Sequence, residues 1–403
     1  MKNKIELLAP AGSLEKLKIA VMYGADAVYI GGKFFSLRAR ANNFSMDDLK
    51  MGVDFAHNHN AKVYVTMNVA AREEDFNECN LIDYLNYLES INVDGIIVSS
   101  MYIASIALNN TKNLEVHLST QASITNSESI NYYADLGIKR VVLARECNLN
   151  QIRLLTKKSK VGLEVFIHGG MCSSFSGRCM LSNYYVNRDA NRGGCAHSCR
   201  WNYNLYEKSI FKEKLVSKDS YFNIASKDLC AIAQVKDLIE AGVESLKIEG
   251  RMKSEYYIAS VVRCYRKLID AIYNDEDIDY NYYLEEIKKA ENRETSSGFL
   301  NGDVTVEEQL YDSNDHPTKE FVGYVLDYDV DKGIATIEQR NHFKVGDMLE
   351  FFGPKLDNTL YVVEEMRTVE GEAVDVAPHP KQVLLLKTNF IVTKGDMIRK
   401  KNS

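Results

Sequence analysis

Short runs of Val, Ile and Leu recur along the first 250 positions and alternate with helix-length amphipathic stretches. The runs at 5–9, 27–30, 62–68, 95–99, 115–119, 140–144, 163–168 and 245–249 lack strict polar alternation, as expected of strands covered on both faces. Between them, segments such as 13–23, 46–57 and 75–91 place apolar residues at three- and four-residue intervals, and Ser13 stands where a helix N-cap belongs. Eight β–α units of this kind predict a (β/α)8 barrel, an α/β fold. A doubly wound open sheet is the rival, but no glycine-rich dinucleotide fingerprint follows the first strand.

Two departures interrupt the pattern. An insertion at about 170–230 separates the last two strands, with a hairpin expected from 202–207 and 221–225. In a barrel it leaves from the C-terminal end of a strand, the face on which barrel enzymes carry their chemistry. After residue 270 the texture changes to an acidic, tyrosine-rich helical connection over 271–318. From 319 to 403, alternating Val, Ile, Leu and Tyr with turn signals predict a small all-β barrel. The segments Lys344-Val-Gly-Asp and Thr393-Lys-Gly-Asp look alike, and recurrent hairpin chemistry accounts for them better than a true repeat.

The 403 residues fit one large domain and one small one. No apolar run approaches the roughly 20 residues of a membrane span, and the short charged start is unlike a signal peptide, so a cytoplasmic protein without membrane partners is expected. A net charge of −7 argues against nucleic-acid binding by a global basic field; an RNA partner would need a local patch.

Cysteine usage is uneven. Cys172, Cys179, Cys195 and Cys199 fall within 28 residues, while Cys79, Cys147, Cys230 and Cys264 are scattered. In a reducing compartment such bunching points to metal ligation or redox work, and four thiolates suit zinc or an iron–sulfur cluster. The spacing matches neither zinc knuckles nor a radical SAM site. Isolated buried thiols are the plain alternative.

Other candidates lie at predicted strand ends. His168 closes the seventh strand, Arg145 and Glu146 follow the sixth, and Lys247 and Arg251 flank the end of the eighth. Arg38 and Arg40 lie among aromatics after the second. The cations suit an anionic substrate, although internal ion pairs and solvated loops are the ordinary fate of such residues. No Gly-x-Ser-x-Gly, His-Glu-x-x-His or Walker sequence occurs, and Cys172 with His168 is the one nucleophile–base pair within reach.

The run from Glu164 through Phe166, Gly169, Met171-Cys172, Gly177 and Cys179 to Leu181-Ser182 resembles the signature of the collagenase-like peptidase family U32. Gly170 departs from it, where the family has Ser or Ala. The likeness continues through residues 8–13, 35–44, 119–121, 144–146, 226–230 and 246–251. Length and the C-terminal β-barrel resemble the branch of the family that hydroxylates tRNA. The resemblance implies oxygen-independent formation of 5-hydroxyuridine at the wobble position, with prephenate or a related metabolite as hydroxyl donor. By position it implies a four-iron–four-sulfur (4Fe-4S) cluster on Cys172, Cys179, Cys195 and Cys230, with tRNA and iron–sulfur assembly proteins as partners. The family's peptidase name supplies the principal rival, and a non-catalytic RNA-binding scaffold, with zinc holding the insertion together, is a third class.

Overall fold

Seven parallel strands follow one another around a ring: β1 (Glu6–Pro10), β2 (Ala27–Gly31), β3 (Lys62–Met67), β4 (Gly95–Val98), β5 (Glu115–Leu118), β6 (Arg140–Val142) and β7 (Gly162–Gly169). The short β8 (Asp228–Cys230) is not a barrel stave. The eighth stave is β9 (Ser245–Ile248), which pairs in parallel with both β7 and β1 and so closes the ring. This computed structural model describes residues 4–37, 43–204, 222–310 and 318–401. The predicted (β/α)8 barrel is therefore present. Its strands are buried at nearly every position because helices cover the outside, β2 being buried at all five.

Local chemistry starts the helices near 13 and 46 where the sequence suggested, whereas the stretch expected at 75–91 is two helices, Glu73–Glu78 and Leu81–Ser90, the second capped by Asn80. The Ser13 hydroxyl accepts the Lys16 amide at 3.3 Å at the head of the helix Leu14–Met22. Ser45 and Asp48 form a reciprocal capping box before Met46–Asn58, as do Asn148 and Gln151 before Leu149–Lys158.

Inside the barrel, Leu8, Ala27, Tyr29, Tyr64 and Ile97 form a buried apolar cluster. Toward the strand starts, charge replaces it. Arg140 reaches Glu6 at 2.5 Å, Glu244 at 2.6 Å and Glu164 at 3.5 Å, and Lys247 Nζ donates to Glu164 Oε1 at 2.7 Å. The Tyr64 and Ser245 hydroxyls each donate to Glu6 at 2.8 Å. Burial alone would raise the Glu164 carboxyl, but the Lys247 and Arg140 charges outweigh it and hold it below the usual range.

Two compact units divide the chain. One comprises Met1–Val21, Ala25–Lys253 and Arg293–Asn314; the other comprises Met22–Gly24, Ser254–Asn292 and Asp315–Ser403. The second unit combines the helices Glu255–Tyr273 and Tyr280–Lys288 with an antiparallel half-barrel. Its strands run, in spatial order, Thr359–Val362, Met348–Phe352, Met397–Lys401, Lys319–Asp329, Ile334–Gln339, Val383–Lys387, Met366–Thr368 and Ala373–Val374. The two look-alike segments adopt one turn: Asp347 and Asp396 each accept the amide three residues back, at 3.0 and 2.7 Å, and Gly346 and Gly395 both take positive φ. The strands they launch pair side by side, so shared hairpin geometry explains the likeness.

Arg399 is fully buried within this unit and bonds Glu350 at 3.1 Å and Glu286 at 2.9 Å. Burial alone would raise Glu350, but Arg399, with Lys289, overrides it and holds the carboxyl at about 2. A carboxylate so depressed stabilises the fold above its unfolded pKa of about 4.3, and that contribution drains away as pH falls toward 2, about 1.4 kcal/mol for each unit of displacement. Thermal melting between pH 5 and pH 2 is expected to show a steep loss in the natural protein and a flatter profile in Glu350→Gln.

Candidate functional site

At the C-terminal end of β7 the chain turns sharply. Gly169 has φ of +101°, and a Cβ there would meet the Glu249 carbonyl oxygen at 2.6 Å. A Cβ on Gly170 would find only ordinary contacts, Glu249 Oε2 at 3.4 Å and Asp228 Oδ1 at 3.9 Å. Gly169→Ala is therefore expected to cost about 1–3 kcal/mol. Gly170→Ala is expected to gain up to about 1 kcal/mol by restricting the unfolded chain. Urea denaturation of the two variants measures the contrast.

The cysteine-rich segment is pinned at both ends. It leaves from β7 and returns as β8, which runs antiparallel over the end of β7 and pairs His168 with Cys230 and Gly169 with Leu229. Of the predicted hairpin, an antiparallel bridge joins Tyr203 to Phe222; residues 205–221 lie outside the described residues. Arg145 lies over the Phe166 ring at 3.9 Å and donates to the Gly170 carbonyl. Glu146 Oε1 accepts the Ser176 amide at 2.8 Å, while its Oε2 is buried without a hydrogen-bond partner among the described residues. Ser176 Oγ is in the same condition. His168 is buried at 1 % exposure. Arg145, Glu146 and the segment's first turn thus meet beside the end of β7.

The thiols occupy matching turns. Cys172 Sγ accepts the Ser174 amide, Cys179 Sγ the Leu181 amide and Cys195 Sγ the His197 amide, each two residues on and each at 3.4 Å. Amide hydrogen bonds of this kind stabilise sulfur that carries negative charge, as ligating thiolates do. Burial pushes the Cys199 thiol up; Arg200 opposes this, and Cys172, Cys195 and Cys179 add to it. Burial likewise raises Cys172, against the Ser174 amide, with Cys179 and Cys195 adding to the rise. The four bunched thiols are therefore electrostatic neighbours. Cys230 lies on β8, 7 % exposed.

Among the described residues no three His, Cys, Asp or Glu side chains converge as a single metal ion demands. A lone zinc draws all its sulfurs to about 2.3 Å of one point. A polynuclear cluster binds each thiolate to a different metal atom and spaces them more widely. Three thiols whose sulfurs accept backbone amides are a donor set that suits the second kind of group.

The predicted cations have diverse surroundings. Lys247 points into the barrel and is paired to Glu164. Arg251, 5 % exposed, bonds Thr66 Oγ1 at 3.0 Å, Ser36 Oγ at 3.1 Å and Asn43 Oδ1 at 3.1 Å, so it ties the loop after β2 to the end of β3. Two glycines make room for it: a Cβ on Gly12 would collide with its carbonyl, and one on Gly31 with its guanidinium. Arg38 and Arg40 lie outside the described residues.

Asp228 had no role from the sequence. It is 1 % exposed and surrounded by Arg200 at 3.1 Å, Arg293 at 3.4 Å and Lys253 at 3.9 Å, fastening β8 to the cysteine-rich segment. Asn68 and Gln121, joined at 3.3 Å, add polar groups just beyond β3 and β5. Their position past strand ends was the available signal.

Peptidase family U32 matches residues 12–310 and the peptidase family U32 C-terminal domain matches residues 317–399. The chain is 44% identical to tRNA hydroxylation protein P1 of Bacillus subtilis, over 99% of this chain and 95% of that protein. It is 33% identical to tRNA hydroxylation protein P of Escherichia coli, over 93% and 92% respectively. It is also 32% identical to a collagenase of Porphyromonas gingivalis, over 91% and 90%.

Proposed function

The chain belongs to peptidase family U32, and from that membership we propose that it hydroxylates tRNA, forming 5-hydroxyuridine at the wobble position without molecular oxygen. The observation that carries this reading is end-to-end likeness to a tRNA hydroxylation protein across both units. No side chain can supply an oxygen atom, so a donor must take part, and the resemblance points to prephenate or a related metabolite. The cofactor is a 4Fe-4S cluster, which supplies redox chemistry when bound. Cys172, Cys179 and Cys195 hold it through the three amide-supported sulfurs. Resemblance offers Cys230 as the fourth ligand, on β8 beside His168 at the end of β7.

The chain's own contribution is positioning. Arg145 fixes the turn at Gly170, and the spare Glu146 oxygen is an acceptor for a donor group of the substrate. His168 lines the end of β7, where a proton can be held close to that turn.

Proteolysis is the second reading, favoured by likeness to a collagenase. A nucleophilic cysteine needs a lowered pKa, whereas burial pushes the Cys172 thiol up. Mass spectrometry of tRNA nucleosides from a strain lacking the protein separates the two. Disappearance of 5-hydroxyuridine-derived nucleosides, restored by complementation, supports hydroxylation. Unchanged nucleosides in a strain without a second pathway, together with gelatin cleavage abolished by Cys172→Ser, would establish the peptidase instead.

A further inference from the structure

The cysteine-rich segment carries charge of the opposite sign to the whole. Between residues 170 and 204 there are four arginines and one acidic residue, Asp189, in a protein of net charge −7. Arg192 is spent on Asp75, at 2.6 Å, and Arg200 on Asp228. Arg178 and Arg188 have no carboxylate partner among the described residues; Arg188 donates only to the Cys195 carbonyl, at 3.5 Å.

The same segment leaves large rings in solvent. Tyr184 is 79 % exposed, Tyr185 55 % and Trp201 38 %. Tyr185 meets Trp201 edge-on with centroids 6.1 Å apart, and Tyr203 at 5.7 Å, so Tyr185, Trp201 and Tyr203 form one cluster. Tyr184 and Tyr185 stand on the short helix Leu181–Val186, which ends at Asn187 in the left-handed region just before Arg188. Single exposed apolar residues are ordinary. A cluster of rings with Arg188, which has no carboxylate partner among the described residues, three positions along the chain from Tyr185 is not, since a hydrophobic protein partner would bury that charge without neutralising it.

We propose that this face is a stacking platform for the unpaired bases of a single-stranded RNA loop, with Tyr185 and Trp201 as the π surfaces and Arg188 as a phosphate partner. Every base offers a π face and every linkage a negative charge, so the two features of the patch are satisfied together. A duplex, whose bases are already stacked, satisfies only the charge. The proposal rests on the tRNA reading and adds where on the chain the RNA loop is held.

Trp201 is the chain's one tryptophan, so fluorescence excited selectively in tryptophan reports on this face alone. The full-length protein is titrated with a hairpin RNA bearing an unpaired loop, and with a fully paired duplex of the same composition. The hairpin is expected to quench Trp201 and the duplex to leave it nearly unchanged. Tyr185→Ala is expected to weaken hairpin binding about 5- to 150-fold, and Tyr185→Phe, which keeps the ring, to restore it. Arg188→Ala is expected to lower the salt dependence of log K by about one unit. Equal quenching by hairpin and duplex, or unchanged affinity in Tyr185→Ala, overturns the proposal. Quenching by a protein partner but by neither RNA overturns it in favour of a protein-docking face. Because binding is read without turnover, the outcomes separate. Normal hydroxylation with unaltered affinity in Tyr185→Ala removes the platform and leaves the function; a ring-dependent hairpin complex with unaltered tRNA nucleosides does the reverse.

Discussion

Cys230→Ser, purified and reconstituted without oxygen, is expected to lose the visible iron–sulfur chromophore and all tRNA hydroxylation, while Cys199→Ser keeps most of both. Cys230 stands on β8, whose backbone pairs with His168 and Gly169 at the end of β7, where the cysteine-rich segment begins. Removing its sulfur leaves the strand's hydrogen bonds in place, so loss of metal reads ligation rather than folding. Iron and sulfide analysis with an absorption spectrum measures the outcome, and metal loss in Cys199→Ser with retention in Cys230→Ser would reverse the assignment. Loading also carries a pH dependence of known sign. Burial holds the Cys172 thiol above its ordinary value, and ligation requires it deprotonated, so incorporation weakens as pH falls.

Lys247→Met is expected to strike the fold of the barrel rather than the recognition of substrate. The change strands Glu164, which is fully buried, with Arg140 at 3.5 Å as its remaining cation. Breaking one side of a buried pair costs about 3–5 kcal/mol, because the surviving charge keeps its desolvation penalty. Glu164→Gln added to Lys247→Met is expected to recover a large share, since the orphaned charge is then gone. Urea denaturation of the single and double variants tests this. A raised KM with unchanged stability would instead return Lys247 to the substrate.

The barrel was legible because its strands are covered on both faces, so each is an unbroken apolar run. The segment at 245–249 and the strand Ser245–Ile248 differ by one residue. Strands β8 and β10 (Thr295–Ser296) have three and two residues, too few for any periodicity, and β8 takes its place only through the end of β7. The charged residues near strand ends could be found but not sorted. Ser245 and Lys247 lie two apart on β9 and turn the same way, yet whether Lys247 meets Glu164 or solvent depends on β7, more than 80 positions away. The bunched cysteines were visible as a count. Which sulfurs neighbour one another was a tertiary fact.

The family boundary falls between residues 310 and 317, but the compact units interleave: the chain leaves the barrel unit at Ser254 and re-enters it at Arg293. On the ribosome, the helix Glu255–Tyr273 therefore emerges before the half-barrel that its unit requires. Thirteen of its nineteen residues are buried in the finished protein, and Tyr256 stacks on Phe321 at 5.2 Å. Until the strand Lys319–Asp329 has been made, Tyr256 lacks the ring it stacks on. A chain stopped at the family boundary would consequently carry a helix whose own compact unit is unfinished.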